Sequence, residues 1–232
     1  MEETISAHSY HSVWPLKKQV DNRILVNSML KQANPDLGYW MSEYCILQKN
    51  GEIRGGGGRD LTMKTALYVA RIIHNDLTLC NAKSWQWWTA ITQCDFKDGL
   101  VYLDDGSKGD TGQMGGHVES LQHDGMVRDS KLLWVLGNYS RFVRPGMVRI
   151  KCELSEEQSM EEGLLVSAYR DVKKGQVVYV FTNLSKQERQ VNVGLDRQVK
   201  TYTTDENEDL GPSLQSLNNV RIPKRSVVTV VK

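Results

Sequence analysis

The ten residues Gly38-Tyr-Trp-Met-Ser-Glu-Tyr-Cys-Ile-Leu47 set the reading of the whole chain. They follow Asn34-Pro35-Asp36-Leu37, a turn signal that closes a helix-like segment. Their bulky aromatic and β-branched side chains suit a strand buried on both faces, as in a parallel sheet. Glu43 stands in the middle of the run. Burying a lone carboxylate is costly, so Glu43 either emerges at the strand's end or is held by partners. A solvated or salt-bridged glutamate at an exposed strand end satisfies the same pattern.

Upstream, residues 5–12 read as a strand with His8 and Tyr10 on one face by the two-residue period. His11 falls on the other face, which makes His8 and His11 a poor metal pair. Trp14-Pro15 ends the strand. A helix is expected over residues 16–32, with Leu16, Val20, Ile24, Leu25 and Met29 as its apolar side. Downstream, Gly55, Gly56, Gly57 and Gly58 lack the Lys-Ser/Thr of a phosphate-binding loop and read as a mobile connection. Asp60 is the expected N-cap of a helix reaching Leu79, whose stripe includes Leu67, Ala70, Ile73 and Leu77. His74 on this helix reads as a packing or surface residue.

Residues 84–91 form the third strand and carry Trp85, Trp87 and Trp88. So many tryptophans exceed what core filling needs, and aromatic faces stack well on the C–H faces of sugars. Period two sends Trp85 and Trp87 one way, Gln86 and Trp88 the other. One indole can therefore line a site while its neighbours pack, although a core role for all three fits too. Residues 93–127 are polar and glycine-rich, with hairpin arms expected at 100–103 and 118–122. A connection this long usually serves a site. A helix over 130–142 is stopped by Pro145-Gly146. Beyond it, short alternating runs at 147–153, 164–170, 177–182, 190–193, 199–204 and 227–231 are split by turns such as Lys173-Lys174-Gly175. That is the pattern of an antiparallel β-sandwich.

Composition narrows the function classes. A net charge of +1 over 232 residues gives no electrostatic footprint for nucleic acid or an anionic membrane. No apolar run reaches membrane-spanning length. Met1-Glu2-Glu3-Thr4 has neither the basic start nor the apolar core of a signal peptide. Cys45, Cys80, Cys94 and Cys152 show no zinc-like spacing and read as free, packed thiols.

Four stretches, in this order, then carry a resemblance: Ile5-Ser-Ala-His-Ser-Tyr10, Trp40-Met-Ser-Glu-Tyr44, Ala82-Lys-Ser-Trp-Gln-Trp-Trp88 and Leu136-Gly-Asn-Tyr-Ser-Arg-Phe-Val-Arg-Pro-Gly146. Together they resemble glycoside hydrolase family 30, retaining enzymes built on a (β/α)8 barrel with an attached β-sandwich. Within that family the endo-β-1,6-galactanase-like branch is the most similar. The resemblance implies that residues 1–145 are the last three β/α units of a TIM-type catalytic barrel and residues 146–232 a β-sandwich docked on it. A full barrel takes about 250 residues. The family's acid/base glutamate lies in an Asn-Glu pair on the fourth strand, which has no match here, since Asn207-Glu208 falls in a sandwich loop. The chain is therefore expected to be the carboxy-terminal part of a longer enzyme.

By the same resemblance Glu43 is the nucleophile. Tyr10 donates a hydrogen bond to it, and His8 belongs to the same polar cluster. Trp88 lines the subsite of the cleaved sugar, with Trp87 as the fallback, and Trp14 extends the aromatic floor. Retaining hydrolysis needs a second carboxylate about 5–5.5 Å away. No cofactor or metal is implied. The expected function is hydrolysis of a β-linked polysaccharide of galactan, glucan or xylan type through a covalent glycosyl-enzyme intermediate. The alternative is a non-catalytic carbohydrate-binding or scaffold protein derived from such an enzyme. Expected partners are a polysaccharide or oligosaccharide and the missing amino-terminal barrel half of the same protein, but neither nucleic acid nor membrane. The parent protein is expected to be secreted or periplasmic.

Overall fold

A computed structural model describes residues 3–104 and 125–232. They fall into two compact units, one of residues 3–61, 72–104 and 125–130, the other of residues 62–71 and 131–232. The first unit opens with the alternation the sequence predicts. Strand β1 (Thr4–His8), helix α1 (Leu16–Ala33), strand β2 (Gly38–Tyr44), helix α2 (Met63–Thr78) and strand β3 (Ser84–Trp87) follow in order. The strands form a parallel sheet in the order β1-β2-β3. Parallel neighbours require crossover helices, which α1 and α2 provide.

The registers on both sides of β2 slip by one residue. Ala7 faces Met41, but His8 faces Glu43; Met41 faces Trp85, but Tyr44 faces Trp87. Ser42 is thus an extra residue in β2, a bulge of the kind that re-aims a side chain beside a site. The expectation of a strand buried on both faces holds only in part. Tyr39, Met41 and Tyr44 are buried, whereas Trp40 is 44% exposed.

Helix α1 departs from its apolar pattern. Ile24, Leu25 and Met29 are exposed, and the residues it buries are Gln19 and Arg23. Arg23 Nε donates to Asp76 Oδ1 at 2.8 Å and Arg23 Nη1 to the Ser12 carbonyl at 2.7 Å. Gln19 Nε2 donates to the Val13 carbonyl, while Asn75 Nδ2 donates to Gln19 Oε1. Trp85 Nε1 completes the cluster with a bond to Asp76 Oδ2 at 2.9 Å. Helix packing on this side is polar and paired, which hydropathy periodicity cannot register.

Helix α2 is buried over Leu67, Ala70 and Ile73 as expected, and His74 is buried too. Thr62, two residues beyond the predicted Asp60 cap, accepts the Lys64 amide at its start. The glycine run is not a loose connection. Gly57 bridges to Phe96, the Gly58 amide donates to the Asp95 carbonyl at 2.8 Å, and the Lys97 amide donates to the Gly56 carbonyl at 2.7 Å. A Cβ on Gly56 would lie 2.0 Å from the Ile46 carbonyl oxygen, so only glycine fits that crossing. After β3, strands β4 (Ile91–Thr92), β5 (Val101–Asp104) and β6 (Met126–Asp129) make a small sheet, with β4 parallel and β6 antiparallel to β5. The hairpin arm expected at 118–122 lies outside the described residues.

In the second unit, helix α3 (Lys131–Ser140) is followed by eight strands: β7 (Val148–Ile150), β8 (Leu164–Arg170), β9 (Val177–Asn183), β10 (Arg189–Val191), β11 (Gln198–Thr204), β12 (Gly211–Ser216), β13 (Val220–Ile222) and β14 (Ser226–Val231). Six form an antiparallel sheet in the order β12-β11-β14-β9-β8-β7, and β10 pairs with β13. Leu164, Val166, Phe181, Val228 and Val230 of the large sheet share a core with Val220 and Ile222 of the small one. Asn138 of α3 bonds the Tyr202 carbonyl and Thr229 Oγ1, each at 3.0 Å, and its own carbonyl accepts from Thr229. Strands β12 and β13 are absent from the alternation pattern. The first is a polar edge strand containing Pro212, a residue confined to edges because it cannot donate to the ladder, and the second is only three residues long.

Candidate active site

The site lies at the carboxyl ends of β1 and β2, where a parallel sheet flanked by helices collects functional groups. Tyr10, two residues past β1, donates its phenolic hydrogen to Glu43 Oε1. His8 Nδ1 stands 3.6 Å from the same oxygen. The two rings meet edge to face, with centroids 5.4 Å apart. Glu43 is partly exposed, and both of these contacts are to Oε1. Burial, then the bond to Glu43, pushes the Tyr10 phenol well above its ordinary range, so the proton stays on the phenol.

Beneath this pair lies an aromatic stack. The Tyr44 ring is 6.1 Å from Tyr10, 6.2 Å from Trp85 and 6.0 Å from Trp87, and the two indoles stack at 6.1 Å. Both indole N–H groups belong to the scaffold: Trp85 donates to Asp76, and Trp87 donates to the Asp98 carbonyl at 2.7 Å. Trp88 differs, being 54% exposed and tied through its backbone, whose amide donates to the Tyr44 carbonyl. A tryptophan whose face is open at the end of β3 can stack on a sugar; two whose N–H groups are spent inside cannot turn to do so. The Trp14 indole lies over Gly51, where a Cβ would come within 2.9 Å of the ring.

One group beside Glu43 escapes a reading from sequence. Tyr44 anchors the stack. It lies inside the opening stretch, yet only the fold shows that it meets Tyr10, just past β1. Among the described residues no three His, Cys, Asp or Glu side chains are grouped so as to hold a metal ion.

Residues 1–102 match the family model of O-glycosyl hydrolase family 30. Over these residues the chain is similar to glycoside hydrolase family 30. Solved structures agree on the fold. A conserved exported protein from Bacteroides fragilis is 37% identical, with a TM-score of 0.85 over 100% of this chain and 46% of its own length. The catalytic domain of a family 30 xylanase C from Talaromyces cellulolyticus is 21% identical over 85% of this chain and 41% of that one, at a TM-score of 0.60. A family 30 endoxylanase from Clostridium papyrosolvens is 17% identical over 99% of this chain and 48% of that one, also at 0.60. The chain spans less than half the length of each. Its architecture is that of the carboxy-terminal region of such enzymes: barrel-type βα units followed by a β-sandwich. Among the described residues, no helix is long and apolar enough to cross a membrane.

Proposed function

We propose that this chain carries the nucleophile side of a retaining glycosidase site acting on a β-linked polysaccharide of galactan, glucan or xylan type. The convergence of Tyr10 and His8 on one oxygen of Glu43 supports this reading above all. Glu43 Oε2 attacks the anomeric carbon as the glycosidic C–O bond breaks, and a second carboxylic acid protonates the departing oxygen. Water then cleaves the glycosyl ester and restores Glu43. Tyr10 holds Oε1 throughout, which fixes the attacking oxygen's direction, and the open face of Trp88 supplies a stacking surface for the sugar.

The acid belongs to the rest of the barrel in the same protein, whose strands would continue the sheet beyond β1. All five residues of β1 are exposed, as are Ile24, Leu25 and Met29 of α1, and added β/α units would cover such surfaces. Export fits a polysaccharide hydrolase and matches the description of the Bacteroides fragilis relative. The test is Glu43→Gln in the full-length protein that contains this chain. Turnover on β-1,6-galactan, β-1,6-glucan or glucuronoxylan should fall by several orders of magnitude at an unchanged unfolding temperature, because a carboxamide cannot form the ester. Retained turnover refutes the assignment.

A further inference from the structure

We propose that one end of the β-sandwich is a docking surface for an anionic lipid bilayer, a role separate from the chemistry of Glu43. The net charge of +1 conceals a separation of charge along the sandwich. The registers place the β8–β9 turn (171–176), the loop 192–197, the β12–β13 turn (217–219) and Lys232 at one end. Lys232 exchanges both backbone hydrogen bonds with Val177, and the Val193 amide donates to the Leu217 carbonyl at 2.8 Å. A Cβ on Gly194 would lie 3.8 Å from Lys232 Nζ, so the loop and the last strand are neighbours. Arg170, Lys173, Lys174, Arg197 and Lys232 are exposed here, and among the described residues none of them forms an ion pair. The carboxylates of this end are Asp171, which accepts the Lys173 and Lys174 amides at 2.9 and 3.0 Å, and Asp196, which accepts from Ser216. The loops of the opposite end, 151–163, 184–188, 205–210 and 223–225, hold ten carboxylates against four cations. An anionic surface is drawn to the first end and repelled by the second.

The apolar side chains at the same end select the kind of anion. Val172 is 68% exposed and Leu195 89%, each in a turn that also carries a cation. A single exposed aliphatic is ordinary. Two of them on turns that both adjoin Lys232, beside unpaired cations, make an amphipathic surface. Those turns hold no aromatic residue, so they lack the stacking face that a sugar needs. Cations at the headgroup level with aliphatic tips entering beneath them suit a lipid interface, where charge attraction and buried apolar area add. The β8–β9 turn is already shaped for contact: Gly175 closes it at φ +71, and its amide bonds the Asp171 carbonyl at 2.8 Å. Little ordering is left to oppose binding.

The full-length protein that contains this chain is sedimented with vesicles of phosphatidylcholine, alone or with about one third phosphatidylglycerol. It should bind only the anionic vesicles and be released at about 0.5 M salt, where screening shortens the electrostatic reach to a few ångströms. Lys173→Gln with Lys174→Gln should weaken binding roughly 30-fold, since each cation near an anionic surface is worth about fivefold. Val172→Ser with Leu195→Ser should weaken it about tenfold and leave its salt dependence unchanged. Absence of binding to the anionic vesicles overturns the proposal. So does binding that either pair of substitutions leaves unchanged. Binding to soluble polygalacturonate but not to vesicles would give this end to an acidic polysaccharide. A salt-labile oligomer without vesicle binding would give it to the acidic end of a second copy. Either result also overturns the proposal.

Discussion

A carboxylate that attacks an anomeric carbon must be ionised beforehand and must leave again from the ester, and one phenolic hydrogen bond assists both. On the proposed reading Tyr10 supplies that bond to Glu43 from just past the neighbouring strand, and its proton stays in place because the phenol is pushed upward. Hydrogen bonds to charged groups contribute about 1.5–3 kcal/mol net. Tyr10→Phe in the full-length protein should therefore cost roughly 10- to 150-fold in kcat, since about 1.4 kcal/mol corresponds to tenfold. The unfolding temperature should barely move, as the ring contacts with His8 and Tyr44 survive. A kcat within twofold of the unaltered protein would remove Tyr10 from the mechanism.

At the scale of elements, α1 is held by charge and amide pairing rather than by its apolar residues. Arg23 and Asp76 are 3% and 1% exposed, and the bond between them links α1 to α2, with Trp85 of β3 on the other carboxylate oxygen. Removing one member of a buried pair strands the other charge, at a cost of about 3–5 kcal/mol. Asp76→Ala should lower the denaturation free energy of the 232-residue chain by that amount. Met29→Lys on the exposed side of the same helix should stay within about 0.5 kcal/mol. Equal effects from the two substitutions, measured by denaturant titration, would show that the polar cluster does not pin the helix.

For the whole molecule, buried neutral acids make stability sensitive to alkali. Burial pushes Cys45 up to about 11, and Cys80, Tyr39, Tyr102 and Tyr169 up to about 12, from unperturbed values of 9.0 for the thiols and 10.0 for the phenols. Folded values above unfolded ones mean that the folded chain holds these protons longer. Their contribution is complete below pH 9 and is lost as pH rises through the folded values. The unfolding temperature, followed by circular dichroism, should be level up to pH 9 and fall steadily between 9 and 12; a level profile to pH 11.5 would contradict the assignment of these groups as buried and neutral. A second expectation concerns catalysis. The 232 residues alone should release no reducing ends from any β-glycan, because the proposed function places the general acid, worth on the order of 10²–10⁴-fold, outside them. Release above a Glu43→Gln control would place the acid within this chain.

The order of strands and helices, the change to antiparallel strands past Gly146 and the candidacy of Glu43 were legible in the sequence. They rest on local physics: the two- and 3.6-residue periods, the turn chemistry of Asn34-Pro35-Asp36 and Pro145-Gly146, and the oddity of a carboxylate in an apolar run. The bulge at Ser42 that sets His8 opposite Glu43 arises only when β1 and β3 pair with β2. The polar buried side of α1 exists because Asn75 and Asp76, more than fifty residues away, meet Gln19 and Arg23. Trp88 is the open indole because Asp76 and Asp98 take the N–H groups of the other two. Each of these depends on partners distant in sequence, and no local period encodes which partner a side chain will find.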